Sequence, residues 1–278
     1  MLSKLNTPPN NNLASPALEV APMEPGLWLR RPIWYSPCKT ALEFCACLAM
    51  LVLAAPIILV AAVVVKLTSR GPAFYTQTRL GLDGREYTIY KLRSMFHNCE
   101  RQSGACWSTA GDPRITPVGR WLRRLHIDEL PQLWNVLRGD MSLVGPRPER
   151  PEFIPHLEEA LPLYRLRRGV LPGVTGLAQV QLPPDTDLES VRRKLAYDLY
   201  YVYNGSLWLD LQLLAATAIH VVGVPYSLIG KFLFLPSSET VENAYRSLSV
   251  EMSTPCQADS AVTNPAGPVV DMEMATCA

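Results

Sequence analysis

Residues 41–65 read ALEFCACLAMLVLAAPIILVAAVVV, an apolar run with one charge, Glu43, near its start and one proline, Pro56, past its middle. As an α-helix the run would be roughly 37 Å long, enough to cross a hydrocarbon layer of about 30 Å. A plain transmembrane span is the first reading, and two features oppose it. Pro56 removes a helical hydrogen bond and crowds the preceding turn, which favours a kink. Basic residues also flank both ends: Arg30, Arg31 and Lys39 before the run, then Lys66, Arg70, Arg79 and Arg85 after it. A spanning helix concentrates Lys and Arg on its cytoplasmic side. Equal flanks fit a helix broken at Pro56 that enters and leaves the same face. Ala54 and Ala55 would make room for the bend, and Glu43 would lie near the headgroups, where a charge costs less than at the bilayer centre.

The 278 residues suffice for one sizeable domain plus extras. Charged residues make up only 18% and hydrophobic ones 48%, which suits a membrane protein. The net charge of +1 argues against a general nucleic-acid binder. Seven cysteines stand at 38, 45, 47, 99, 106, 256 and 277, without paired CxxC spacing, as expected of a reducing, cytosol-facing chain. Composition divides the chain into a disordered tail over 1–38, the membrane helix over 39–66, a globular domain over 67–235 and a second disordered tail over 236–278. That last stretch is rich in Ser, Thr, Pro and Ala and carries six acids against one Arg. No signal peptide is expected, because the first apolar core begins only near residue 41.

Within the globular part, residues 71–95 predict a β-hairpin turning at Asp83-Gly84. Lys91 and Arg93, two apart, share a strand face. They read either as charges that protect an edge strand or as two cations converging on one anion. Residues 112–140 predict two helices. Trp121, Leu122 and Leu125 mark the first; Leu133, Trp134 and Leu137 mark the second, which Asp128 would N-cap and Gly139 would end. Capping accounts for Asp128 in isolation, but not for Arg120, Arg123, Arg124, Arg138 and Arg147 nearby. Arginines beside a helix start make a phosphate site. In Gly145-Pro146-Arg147-Pro148 two prolines restrict the backbone around Arg147, either as a rigid turn or as a preorganised guanidinium. Residues 207–218 carry helical spacing interrupted by Asp210 and Gln212, which suits a helix at the interface or packed on the domain.

Four segments, GPAFYTQTRLGLDGREYTIYKLRSM (71–95), RWLRRLHIDELPQLWNVLRGDMSLVGPRPE (120–149), PGVTGLAQV (172–180) and YDLYYVYNGSLWLDL (197–211), together resemble the bacterial sugar transferases. These are the monotopic polyprenyl-phosphate phosphoglycosyl transferases. The resemblance covers about residues 39–225, and the DELPQLWNVLRGDMSLVGPRP stretch is its most specific part. It implies a helix-rich α/β fold with a small β-hairpin, a proline-broken re-entrant helix, and a catalytic domain with interfacial helices on the cytoplasmic face of the bacterial inner membrane.

The activity it implies is transfer of a sugar 1-phosphate from a UDP-sugar to polyprenyl (undecaprenyl) phosphate, with Mg²⁺, a covalent phospho-sugar aspartate and release of UMP. This would be the first membrane step of an exopolysaccharide or lipopolysaccharide. The family's acid pair falls on Asp128 and Glu129. Asp128 would be the nucleophile and stand at the metal; Glu129 would hold the metal or deprotonate the acceptor. The family's basic positions fall on Lys91, Arg123 and Arg147, and Arg93 is a further candidate. The chain departs from the family at His126, where many members have Ser or Thr, at Leu171, where some have a basic residue, and at QLPPDTD after residue 180. The competing class is a catalytically silent membrane scaffold that binds an anionic partner. Homo-oligomerisation is left open.

Overall fold

The computed structural model describes residues 35–99, 111–185, 187–221 and 223–253. Helix α1 (Tyr35–Thr68) is the only helix among them long and apolar enough to cross a membrane. It runs on through Pro56, so the interruption expected there is not seen. One missing backbone donor leaves the neighbouring hydrogen bonds to carry the helix across. Pro56 itself is exposed, while Ala54 is packed against the rest of the protein. The helix buries a single stripe: Tyr35, Lys39, Glu43, Cys47, Leu51, Ala54, Ile58, Ala61 and Val65 are buried or half-buried at steps of three or four. That spacing is one helical face. The remaining faces expose Leu42, Val52, Leu53, Leu59 and Val60, among others. The stripe packs on the globular part along the helix's whole length.

The predicted hairpin forms from β1 (Phe74–Leu80) and β2 (Glu86–Leu92), antiparallel, with Arg79 opposite Tyr87. Asp83 and Gly84 both take positive φ, 53° and 79°, which the Asp-Gly pair accommodates at a tight turn. The helical region resolves into α2 (Pro117–Arg124), a 3-10 turn (Ile127–Gln132) and α3 (Leu133–Leu137). Thr116 caps α2 by accepting from Gly119 N at 2.9 Å. The stripe predicted for the second helix is shifted. Leu133, Asn135 and Val136 are buried, whereas Trp134 is half exposed.

Strands β3 (Ser142–Val144) and β4 (Gly173–Thr175) pair in parallel and bring the Pro-Arg-Pro loop against the Pro-Gly-Val-Thr-Gly loop. Their approach is backbone to backbone. A Cβ on Gly173 would lie 2.1 Å from Gly145 N, and one on Gly176 would lie 2.1 Å from Gly145 O. Helix α4 (Ile154–Ala160) packs on one part of α6 (Leu188–Asn204), whereas α5 (Leu177–Gln181), α7 (Leu207–Val221) and the rest of α6 pack around the strand pair. Helix α7 buries Leu213 and Ala216 completely, so it is packed on the domain while Trp208 and Leu211 face outward.

The C-terminal reading needs correction. After α8 (Tyr226–Phe232), residues placed in the second disordered tail form α9 (Ser238–Ser253). Composition hid a local pattern. Ser237 accepts from Thr240 N at the start, and Val241, Tyr245 and Leu248, spaced for one face, join the core. Arg192 of α6 also pairs with Glu242 at 3.2 Å. Residues 1–34 and 254–278, which carry the rest of the two expected tails and Arg30 and Arg31, lie outside the described residues.

The glycine contact is testable. Gly173→Ala must push β3 and β4 apart and should cost about 1–3 kcal/mol or more. A lowered thermal midpoint in detergent is expected. Gly230→Ala, where an added methyl meets nothing within 4 Å inside α8, should leave the midpoint unchanged or raise it.

Candidate active site

The acid pair lies in the 3-10 turn between α2 and α3. The expected N-cap role of Asp128 is not what the structure shows. His126 occupies the N-cap in a left-handed conformation (φ 55°), and Glu129 N already bonds back to His126 O at 3.2 Å. The chain has therefore turned before Asp128, which sits inside the first turn with only 6% of its surface exposed. Among the described residues its carboxylate accepts no hydrogen bond.

Glu129, next to it, is bound tightly. Lys91 Nζ and Arg147 Nη2 donate to the same oxygen, Oε1, at 2.7 and 2.8 Å. The two neighbours are pushed in opposite directions. Burial raises the pKa of Asp128, the adjacent Glu129 charge raises it further, and Lys91, Arg123 and Arg147 only partly offset this. Burial would also raise Glu129, but Arg147 and Lys91 outweigh it and hold that carboxyl well below the usual carboxylate range. Burial lowers Lys91, with Glu129 opposing; Arg147 is raised by Glu129.

Three of the four basic candidates converge on the acid pair. Lys91 comes from β2 and Arg147 from the Pro-Arg-Pro loop. Arg123, on the last turn of α2, donates from Nε to Ser94 Oγ at 2.9 Å and lies close enough to favour ionised Asp128. Arg93 does not join them. Strand β2 ends at Leu92, and the Arg93 guanidinium turns to the C-terminus of α1. There it donates to Arg70 O at 2.8 Å and to Ser69 O and Oγ at 2.9 and 2.7 Å. Helix ends leave carbonyls unpaired, and a buried arginine supplies their donors. Pro56 lies in α1, outside the site. Arg120 and Arg124 are exposed, and Arg138 pairs with Asp140 at 3.3 Å.

Asn135 is the residue that sequence reasoning missed. It is fully buried, accepts from Tyr90 N at 3.1 Å and donates to Thr88 O at 2.7 Å. Its amide thus mimics a neighbouring strand and pins β2, with Lys91, against the acid pair. The available signal was a polar residue inside an apolar stretch.

Among the described residues no three His, Cys, Asp or Glu side chains cluster as a metal cage. Asp128 and Glu129 could supply two carboxylate ligands at most. That is the donor set of Mg²⁺, which keeps waters and takes substrate phosphate oxygens. Chemically, the site offers one buried carboxylate without hydrogen-bond partners among the described residues beside a second carboxylate neutralised by cations. Such a site suits a phosphate-bearing anion.

Comparison with known proteins agrees with this geometry. The family described as "Bacterial sugar transferase" matches residues 34–224. A UDP-N-acetylgalactosamine-undecaprenyl-phosphate N-acetylgalactosaminephosphotransferase of Aeromonas hydrophila is 43% identical over 192 residues, covering 69% of this chain and 45% of that protein. An undecaprenyl-phosphate glucose phosphotransferase of Komagataeibacter xylinus is 41% identical over 198 residues, 68% of this chain and 37% of its own. A UDP-glucose:undecaprenyl-phosphate glucose-1-phosphate transferase of Caulobacter vibrioides is 42% identical over 209 residues, covering 74% and 72%. The chain spans less than half the length of the first two relatives. The match takes in α1, the acid pair, Lys91, Arg123 and Arg147 and stops before α8 and α9. The chain belongs to the bacterial sugar transferase family.

Proposed function

We propose that the protein transfers a hexose 1-phosphate from a UDP-sugar to undecaprenyl phosphate through a covalent phospho-sugar on Asp128. The observation that carries this reading is the buried Asp128 carboxylate, without a hydrogen bond among the described residues, beside Glu129, Lys91 and Arg147. The relatives' names give the donor and acceptor classes, and two different sugars, so the reading stops at hexose. An Asp128 oxygen attacks the sugar-bearing phosphorus; the bond to the UMP oxygen breaks, and UMP leaves. An oxygen of the acceptor phosphate then attacks the same phosphorus and displaces the Asp128 carboxylate. The product is the lipid diphosphosugar. Splitting the transfer lets each half proceed with one substrate bound. Lys91, Arg123 and Arg147 neutralise the diphosphate, which would otherwise repel an anionic nucleophile. Mg²⁺, held by Asp128 or Glu129 together with water and donor oxygens, would add charge neutralisation. Glu129, held anionic by two cations, is a weak base. Its part in this reading is to keep Lys91 and Arg147 aimed at the site and to offer a metal ligand.

The same reading places both ends of α1 at the cytoplasmic face of the bacterial inner membrane, with the apolar middle dipping into the bilayer. Support comes from the two ends being fastened to one domain. Near the start, Tyr35 Oη and Lys39 Nζ donate to Asp210 Oδ2 at 2.8 and 2.9 Å, and Glu43 accepts from Ser142 Oγ at 2.8 Å. At the far end Arg93 holds Ser69 and Arg70. A straight span would carry one of these polar networks away from the aqueous face into or across hydrocarbon.

Three outcomes are expected. Asp128→Asn should abolish UMP release from UDP-glucose and UDP-N-acetylgalactosamine; retained turnover would remove Asp128 from the chemistry. The same variant should melt at or above the wild-type temperature at neutral pH. The raised pKa means that the folded state favours the protonated form, so the ionised side chain costs stability above that pKa. The difference should vanish below the unfolded-state value of about 3.9, where both states are protonated. For topology, single cysteines at positions 30 and 70 in a cysteine-free background should both resist a membrane-impermeant thiol reagent in intact cells and react once cells are opened. Labelling at one position alone in intact cells would establish a span.

A further inference from the structure

Arg147 contributes its guanidinium to the site, yet its backbone belongs to a loop. Prolines at 146 and 148 fix φ there and bias Arg147 to extended backbone, but a carbonyl's direction is set by ψ. In this structure four successive carbonyls of the loop each receive a donor from outside it. Gly173 N reaches Pro146 O at 2.9 Å, and Leu80 N reaches Glu149 O at 3.2 Å. The two between them are taken by arginine side chains. Arg167 Nη2 donates to Arg147 O at 2.8 Å, and Arg79 Nη1 donates to Pro148 O at 3.1 Å.

Neither arginine is a surface residue that happens to lie nearby. The Arg167 side chain is 5% exposed and is oriented by Asp198, itself 2% exposed, through Nε and Nη2 at 2.9 and 2.6 Å to one carboxylate oxygen. Its Nη1 donates to Tyr164 Oη at 2.9 Å. Arg79 is anchored by Gln77 Oε1 at 2.7 Å, and its Nε is buried without a partner. A buried guanidinium is costly unless paired, and its planar fork suits fixing two acceptors at once. By contrast the Arg147 side chain keeps 39% exposure and points to Glu129.

From this geometry we infer that Arg79 and Arg167, the latter set by Asp198, are positioning residues. They lock the ψ angles around Arg147 so that its guanidinium meets the donor diphosphate without reordering. The inference rests on the proposed function only in taking Arg147 as a donor-binding group. Clamping that backbone beforehand removes an ordering cost at binding, which appears as affinity.

A mutant cycle on donor affinity tests it. The Asp128→Asn protein, which should bind donor without turnover, is titrated with UDP-glucose and UDP-N-acetylgalactosamine in Mg²⁺ by calorimetry. Arg79→Gln and Arg167→Lys are each introduced with Arg147 present and with Arg147→Ala. Each bracing substitution should weaken affinity about tenfold when Arg147 is present and less than about twofold when it is absent, because the bracing residues act only through Arg147. Equal losses in both backgrounds, or no loss in either, would overturn the proposal. Should Arg167→Lys fail to fold, Arg79→Gln decides alone. The catalytic reading fails separately: it falls if the wild-type protein binds these donors and releases no UMP with undecaprenyl phosphate present.

Discussion

One carboxylate oxygen, Glu129 Oε1, receives both Lys91 and Arg147. Those residues come from a β-hairpin and from the loop after β3, and Glu129 comes from the 3-10 turn between two helices. Three segments far apart in the chain are thus fixed at a single atom. In a low-dielectric interior such a knot is strong, and it is also unforgiving. Removing one member of a buried pair leaves an uncompensated charge, at about 3–5 kcal/mol. The surrounding structure is arranged to prevent this. Asn135 holds the strand that carries Lys91, and the contact of Gly145 with Gly173 sets the level of the loop that carries Arg147. With Arg123 and Asp128 included, three cations face two carboxylates, leaving one positive charge in the cleft for an incoming anion.

Much of this was legible in sequence because it depends on local signals. The hairpin follows from alternation and Asp-Gly, α1 from its apolar length, and the convergence of Lys91, Arg123 and Arg147 on Asp128 and Glu129 from a motif resemblance. What failed depended on geometry at element ends. Arg93 was assigned to the site by a two-residue spacing that holds only while a strand continues. The strand stops at Leu92, and the side chain falls to the end of α1 instead. Asp128 was read as a cap because Asp before an apolar run is a capping signal, but the helix start is displaced to His126. Asn135, Arg79 and Arg167 act on backbone groups remote in sequence, and Asp198 acts through Arg167; no periodicity announces such partners. Helix α9 was lost because composition over 43 residues averaged a short amphipathic segment with its surroundings.

The two ends of α1 show that charges expected to act as membrane flanks can serve a different physical purpose. By sequence Lys39 is a basic flank, a charge read by the membrane. In the structure it is half-buried, within 3.1 Å of Glu43 Oε1, Asp210 Oδ2, Tyr201 Oη and Val144 O. Glu43, assigned to the headgroups, accepts from Ser142 Oγ at 2.8 Å. Both are docking groups. The helix is held by a polar network at its start, by small residues such as Ala54 and Ala61 along its stripe, and by Arg93 at its end. Its position is therefore tied to that of the acid-pair cleft, because Val144, which accepts from Lys39, directly precedes the Gly-Pro-Arg-Pro loop.

Asp128 and Glu129 are adjacent in sequence and chemically opposite. Two carboxylates side by side in one interior repel, and direct cation contacts to one of them leave burial and that repulsion to raise the pKa of the other. Glu129 takes both direct cationic partners, so the electrostatic cost of burial falls on Asp128. The Asp128 carboxylate, which accepts no hydrogen bond among the described residues, has its pKa raised by burial and by the Glu129 charge. The opposite shifts of Asp128 and Glu129 are two sides of one distribution of charge. Exchanging the two residues would keep the composition of the motif and destroy its logic, because the direct contacts of Lys91 and Arg147 would then engage the wrong carboxylate.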